Sequence, residues 1–209
     1  PVLLAGLLYL GAGAGLFLLR LLVPAGTAGA PLRRRDLPWL GGAVLSGGVA
    51  APLLLMVGLR ATSASAASLL LNLEGVFTAL LAWFVFRENV DRRVAFGMFL
   101  IVAGGVALAW PRDQGMALTT ASLAVAAACL GWAIDNNLTQ KISAIDPLQI
   151  AAIKGAVAGS VNVIAALVLG ASVPTTRWIA GALLVGLIGY GISVSLFVVA
   201  LRHLGTART

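Results

Sequence analysis

Charge is what this chain has least of. Only 10% of its 209 residues are Asp, Glu, Lys or Arg, against roughly 25% in an average soluble domain. With 60% of residues hydrophobic and a mean hydropathy of +1.03, there is too little polar surface to keep a soluble fold dissolved. The single cysteine, Cys129, rules out an intrachain disulfide and leaves the redox compartment unread. The single histidine, His203, stands in no His/Cys/carboxylate cluster with ligand spacing, so no metal site is expected. There is no phosphate-binding loop, and no serine sits in a nucleophile motif. Gly11 to Gly15 has the wrong spacing for a dinucleotide fingerprint and follows no strand. Enzyme activity, ATP-driven work and a bound cofactor are therefore not expected.

What the chain does have is long apolar runs. A helix needs about 20 mostly apolar residues to cross a bilayer, and seven runs approach that length: 2–22, 38–59, 64–86, 93–110, 117–139, 147–170 and 178–201. Backbone polar groups cannot stay unpaired in lipid, so runs of this length are expected as helices. The fold class is thus all-α, a polytopic transmembrane helix bundle. The tightest boundary is Arg60 to Ser65, where the second and third helices nearly touch.

The net charge of +7 would suggest nucleic acid in a soluble protein, but its placement explains it better. Arg20, Arg33, Arg34, Arg35, Arg87, Arg92, Arg93, Lys141, Arg202 and Arg208 fall on one side of the membrane. Arg60, Arg112 and Arg177 fall on the other, and Lys154 lies inside the sixth helix. Ten against three puts the Arg-rich side in the cytoplasm and sends the first helix from outside to inside. The chain begins at Pro1, already apolar and with no basic leader, so a segment of a longer membrane protein is expected.

The run contains a weak internal repeat. Trp39 opens the second helix and Leu59-Arg60 closes it; Trp178 opens the seventh and Leu201-Arg202 closes it. Gly11 and Gly15 in the first helix share a four-residue step with Gly155 and Gly159 in the sixth. The paired helices run in opposite directions, which makes this an inverted repeat of about five helices, a common plan in secondary transporters.

The stretch Ala61 to Trp110 resembles the EamA family of the drug/metabolite transporter superfamily. The likeness rests on Thr62-Ser63-Ala64-Ser65, on Asn72-Leu73-Glu74-Gly75-Val76-Phe77-Thr78-Ala79-Leu80-Leu81-Ala82-Trp83, on Phe86-Arg87-Glu88, and on Gly97 with Gly104-Gly105-Val106. The family usually has Pro where Gly75 stands. A second match, Trp132 to Gly155, carries Asp135-Asn136-Asn137-Leu138-Thr139, Lys141, Asp146-Pro147 and Lys154-Gly155. The resemblance implies a ten-helix carrier built of two inverted halves, of which this chain would hold the second through eighth helices. Residues 1–110 would be the remainder of the first half and 117–209 part of the second.

Polar residues at membrane depth are the candidate site. A charged carboxylate at bilayer centre costs about 2.5–3.5 kcal/mol on insertion scales, so Glu74 needs a cavity, a partner or a proton. Read functionally, Glu74 and Asn72 contribute to a solute or proton site; read blandly, Glu74 is protonated or only ties helices together. Asp135, Asn136 and Asn137 lie near the inner end of the fifth helix, and Lys154 is about two turns into the sixth from the same side. An Asp135–Lys154 pair is geometrically open. The alternatives are a snorkelling Lys154 and asparagines that cap the helix end. Asn162, Tyr190 and Trp132 are further candidates for the path, with packing as the plain alternative. Trp39, Trp110 and Trp178 are expected as interface anchors.

The leading expectation is a secondary carrier of a small polar or zwitterionic metabolite or drug, acting as exporter or exchanger by alternating access. Its partners would be the solute, the bilayer and a proton carried by Glu74, with no nucleic acid and no cofactor. Its place would be a bacterial inner membrane with the Arg-rich loops cytoplasmic. The competing class is a seven-helix receptor or sensor; retinal attachment would need a lysine in the last helix, and 178–201 has none.

Overall fold

A computed structural model describes residues 2–22, 29–89, 91–109 and 119–209. Within them the chain forms seven helical rods and no strands. They are α1 (Val2–Leu22), α2 (Arg34–Leu59), α3 (Ala64–Phe84), α4 (Arg92–Ala109), α5 (Thr120–Lys141), α6 (Pro147–Val168) and α7 (Thr176–Leu204). Each coincides with one of the seven apolar runs. Trp110 and residues 111–118, which include the expected start of the fifth helix, lie outside the described residues.

By length and composition α1, α2, α3, α6 and α7 can cross a membrane. α4 opens on Arg92-Arg93 and is apolar beyond them. α5 ends in Asp135, Asn136, Asn137, Thr139 and Lys141, yet it lies against α2, α3 and α7. Its Val125, Ala128, Cys129, Ala133, Asn137 and Thr139 are all buried. A helix surrounded by protein shows little surface to lipid, so it does not need an all-round apolar sequence. The outward faces of the bundle, by contrast, carry Phe17, Phe84, Phe96, Phe99, Ile164 and Leu196 in exposed positions, the surface that lipid tails require.

α1 and α6 cross antiparallel. Gly6 lies against Val163, Gly159 against Leu10, and Gly13 against Ala156. The backbones meet so closely that a Cβ built on Gly155 would stand 2.7 Å from the Gly13 nitrogen. Between helices in lipid, packing at small residues replaces the hydrophobic effect as the adhesive; here Gly6 and Gly13 of α1 and the Gly155–Gly159 step of α6 supply it, while the Gly11–Gly15 step of α1 faces Leu183 and Leu187 of α7. At the basic end Arg20 pairs with Asp146, and Asp146 also caps α6 by accepting from Leu148 N at 3.0 Å.

Three of the rods are not plain α-helix. α3 is interrupted at Asn72, between Ala64–Leu71 and Leu73–Phe84; the helix passes through Gly75 without a break. α2 contains a π-helical stretch, Val44–Ala50, and α7 contains another, Gly186–Ile192. The two occupy one register. Nine residues, Ala51–Leu59, lead from the first to Leu59-Arg60, and residues 193–201 lead from the second to Leu201-Arg202. The sequence likeness between α2 and α7 thus extends to backbone geometry.

The basic end of the bundle is tied together. Arg202 donates from Nε to Ser143 O at 2.5 Å and from Nη2 to Ile145 O at 2.7 Å, and Ala30 N donates to Ala144 O at 3.1 Å. Glu88 accepts from Thr206 N at 3.0 Å and from Thr206 Oγ1 at 2.6 Å. Arg202, one of the basic residues counted for topology, thus also holds a loop.

Candidate functional site

The π stretch of α2 begins the site. Pro52 has no N–H to offer the carbonyl one turn earlier, that of Gly48. The Ala51 N–H reaches back to Ser46 O, which leaves Gly47 O without its helical donor. A bare carbonyl in lipid costs several kcal/mol, and both are filled from neighbouring helices. Asn162 of α6 donates Nδ2 to Gly48 O at 2.8 Å, and Trp132 of α5 donates Nε1 to Gly47 O at 3.1 Å.

The charged pair lies beside this stretch. Lys154 Nζ stands 2.5 Å from Asp135 Oδ1 and 3.0 Å from Thr139 Oγ1, and Thr139 Oγ1 donates to Asp135 Oδ1 at 2.9 Å. All three side chains are buried. A Cβ built on Gly47 would overlap Asp135 Oδ2, so only glycine lets α2 close over the carboxylate. Lys154 does not snorkel: its ammonium is turned into the bundle, where Asp135 offsets its charge. Buried ion pairs survive only with good geometry and further hydrogen bonds, and Thr139 provides those to both partners.

A second polar group lies one residue along α5. Asn136 Nδ2 donates to Glu74 Oε1 at 3.1 Å and to Thr78 Oγ1 at 3.2 Å. Glu74 and Thr78 are four residues apart on α3, hence on one face. They line a cavity of about 560 Å³, with Asn136, Met98, Ile101 and Phe197 also in its walls. That volume falls within the range of small-molecule sites, roughly 300–1,000 Å³. Glu74 sits ten residues before Phe84, about 15 Å up α3 at 1.5 Å per residue. Arg93 and Arg208, both exposed, line the same cavity at the basic end of the bundle.

The remaining candidates fall elsewhere. Asn137 Nδ2 donates to Thr78 O at 3.0 Å and to Ala133 O at 2.9 Å, tying α5 to α3 just behind the cavity wall. Tyr190 packs on Tyr9 of α1, ring centroids 4.6 Å apart. Asn72 is exposed and turns back on its own helix, to Ser68 O and Leu69 O. The structure thus groups Glu74 with Asn136, and Asp135 with Lys154, Trp132 and Asn162; the Tyr9–Tyr190 pair lies within electrostatic reach of Asp135, and Asn72 stands apart from both groups. Thr78 is the cavity residue that sequence reasoning passed over, although its four-residue step from Glu74 was a visible signal. Among the described residues no three His, Cys, Asp or Glu side chains group as metal ligands would.

Known proteins resemble this chain along most of its length. The sequence model of the EamA-like transporter family matches residues 1–110. An uncharacterised transporter of Methanothermobacter thermautotrophicus is 31% identical over 99% of the chain, which spans 65% of that relative's length. A solved crystal structure superposes with a TM-score of 0.78 over 97% of this chain and 71% of the other, at 18% identity. At that identity the likeness speaks for the fold alone.

Proposed function

Because the chain belongs to the EamA-like transporter family, and so to a class of multi-pass membrane transporters, we propose that it is part of a secondary carrier. The carrier moves a small metabolite or drug by alternating access between inverted halves, as exporter or exchanger. It lies in a bacterial inner membrane with its Arg-rich loops in the cytoplasm. Residues 1–110 contribute to one half and 117–209 to the other.

The observation that carries this reading is the placement of Glu74. It is a carboxylate near mid-membrane depth, hydrogen-bonded to Asn136 on one side and open to a solute-sized cavity on the other. The cavity continues to the basic end of the bundle, which makes it a vestibule on the cytoplasmic side. Glu74 then has two ways to be neutral in the membrane: a proton or a solute. Exchange of one for the other couples solute movement to a proton gradient. Asp135 does not share that role, since Lys154 already neutralises it.

Full-length protein in sealed vesicles tests this. Uptake of at least one solute from a panel is expected, steeper with a pH gradient than without. Glu74→Gln is expected to remove the gradient dependence. Uptake that is unchanged in Glu74→Gln at every pH takes Glu74 out of the coupling step.

A further inference from the structure

We infer that the turn Thr206–Arg208 is a strap across the basic mouth of the Glu74 cavity, clasped by Glu88 and let go when α7 moves. This rests on the carrier reading, which supplies the motion. The clasp is built from two helix ends. Past Phe84 the chain turns through Arg87, whose φ of 55° is left-handed backbone where glycine is the usual residue. That turn lets Glu88 N donate to Ala82 O at 2.8 Å, which fixes where the Glu88 side chain starts. Opposite it, α7 stops at Leu204, and Gly205 redirects the chain with φ 80° and ψ 168°, backbone that is essentially glycine's alone. The next three residues form a 3-10 turn. Its open N–H groups meet the carboxylate. Thr206 N donates to Glu88 Oε2 at 3.0 Å, Ala207 N to the same oxygen at 3.4 Å, and Thr206 Oγ1 to Oε1 at 2.6 Å.

Where the turn stands gives the clasp its use. Ala207 and Arg208 line the Glu74 cavity on one side and, on the other, a smaller cavity of about 280 Å³ whose walls include Glu88, Gln140 and Gly205. The turn is thus the partition between the two, and Thr206 at its start is buried. A solute that reaches Glu74 from the basic end passes this partition. Hydrogen bonds to a carboxylate are among the stronger ones. Among the described residues no other hydrogen bond or ion pair joins residues 64–89 to residues 176–209. The end of α7 is therefore held to α3 at one carboxylate. Along its middle, α7 packs on α1 at glycines, with Gly186 against Leu8 and Gly191 against Ala12. A helix held that way can shift once the clasp opens, and Gly205 is the hinge that absorbs the backbone change. Glu88 differs in this from Glu74. Both its oxygens are engaged by the strap, so it is a latch and not a solute site.

Access to the cavity, read in full-length protein in sealed membranes, tests the strap. Met98 lies in the cavity wall; in Met98→Cys protein, with any cysteine beyond Cys129 replaced, a membrane-impermeant maleimide is applied from the side of the basic end. Glu88→Gln sets an amide donor against the strap's own donors, and Thr206→Val removes the hydroxyl donor at nearly constant shape. Each is expected to speed labelling at position 98 about tenfold, the fold-change that matches loss of one hydrogen bond to a charged group. With Met98 kept, Cys129 is the control: it is 0% exposed and stays unlabelled in a folded variant. A labelling rate unchanged in either folded variant overturns the inference. Where a variant labels at Cys129, and so has unfolded, a second measurement decides. Glu88→Cys and Thr206→Cys are joined by a short reducible bis-thiosulfonate; solute uptake is expected to stop, and to return on reduction. Uptake through the joined protein at the unjoined rate overturns the strap and leaves the carrier. No solute crossing in any protein, with labelling at position 98 faster in both variants, sinks the carrier and leaves the strap as a lid on the cavity.

Discussion

In α2 the π stretch Val44–Ala50 gives up two carbonyls, and Trp132 and Asn162 take them. In α7 the stretch Gly186–Ile192 stands at the same distance from its Leu-Arg end, and among the described residues no side chain from another helix donates to its backbone. Its one side-chain bond to a backbone carbonyl is internal, from Ser195 Oγ to Gly191 O at 2.9 Å. The rest of its support is contact with α1, where Gly186 meets Leu8, Gly191 meets Ala12 and Leu16, and Tyr190 packs on and hydrogen-bonds to Tyr9. The sequences explain the contrast. α2 has Pro52 and so loses a helical donor for good; at the matching position α7 has Val194, whose N–H remains. The same local geometry is therefore nailed down in one half and only packed in the other. A carrier that rocks one element against a fixed frame needs both kinds of helix, and in this bundle α2 with α5 and α6 has the bonds of a frame.

The strongest test of that contrast removes the charge that α2 covers. Lys154→Met leaves Asp135 buried beside Gly47 with no counter-charge, and breaking one side of a buried pair costs about 3–5 kcal/mol. Thermal unfolding of the full-length protein in micelles should show the loss. Asp135→Asn with Lys154→Met should regain most of it, because neither charge is then stranded. α7 has no charged pair to break, so no substitution there strands a buried charge. A Lys154→Met protein as stable as the wild type would mean that the pair anchors nothing.

The next test compares one glycine with its counterpart. Counted back from the Leu-Arg ends, Gly47 of α2 matches Gly189 of α7. A Cβ at Gly47 overlaps Asp135 Oδ2, whereas one at Gly189 meets nothing within 4 Å. Gly47→Ala should cost about 1–3 kcal/mol, the usual toll of overpacking. Gly189→Ala should be neutral or gain up to about 1 kcal/mol from helix propensity. Equal losses at both sites, read by the same unfolding assay, would erase the distinction between the two stretches.

How much of this could be read from the sequence depends on what each feature needs. The seven rods follow from apolar run length, a local property, and all seven are where the runs stand. The tight Arg60–Ser63 turn was legible for the same reason, and Ser63 caps the helix that follows by accepting from Ala66 N at 3.3 Å. The two π stretches were not legible. Only Pro52 hinted at one, and α7 has no matching residue; the bulge there depends on how α7 meets α1. The sites were half legible. Glu74 and Asp135 stand out because charge is rare, but which of them is neutralised depends on Lys154 reaching across from α6. Asn72 and Glu74 look adjacent in the chain, yet two residues on a helix face different ways, and Asn72 bonds its own turn. The role of Glu88 was not legible, because its partner, Thr206, is 118 residues away.

The smallest effect asks whether the carbonyl bonds matter apart from the charge. Asn162→Ala removes the donor to Gly48 O and leaves the Asp135–Lys154 pair intact. In water an orphaned carbonyl of this kind would cost about 1–3 kcal/mol. Inside a membrane, cycles on helix–helix hydrogen bonds average about 0.6 kcal/mol and reach about 1.7, because the separated helices find other partners. Gly48 should lie toward the upper value. Pro52 permanently withholds the helical donor, and Asn162 itself is 1% exposed, so water has little room to replace it. The comparison with α7 gives the control. Ser195→Ala removes that stretch's one side-chain bond to a carbonyl, but Gly191 O faces no proline deficit, so its loss should be smaller than that of Asn162→Ala in the same assay. If Ser195→Ala costs as much, the two stretches are anchored alike, and the difference between frame and moving helix must be sought in α1 instead.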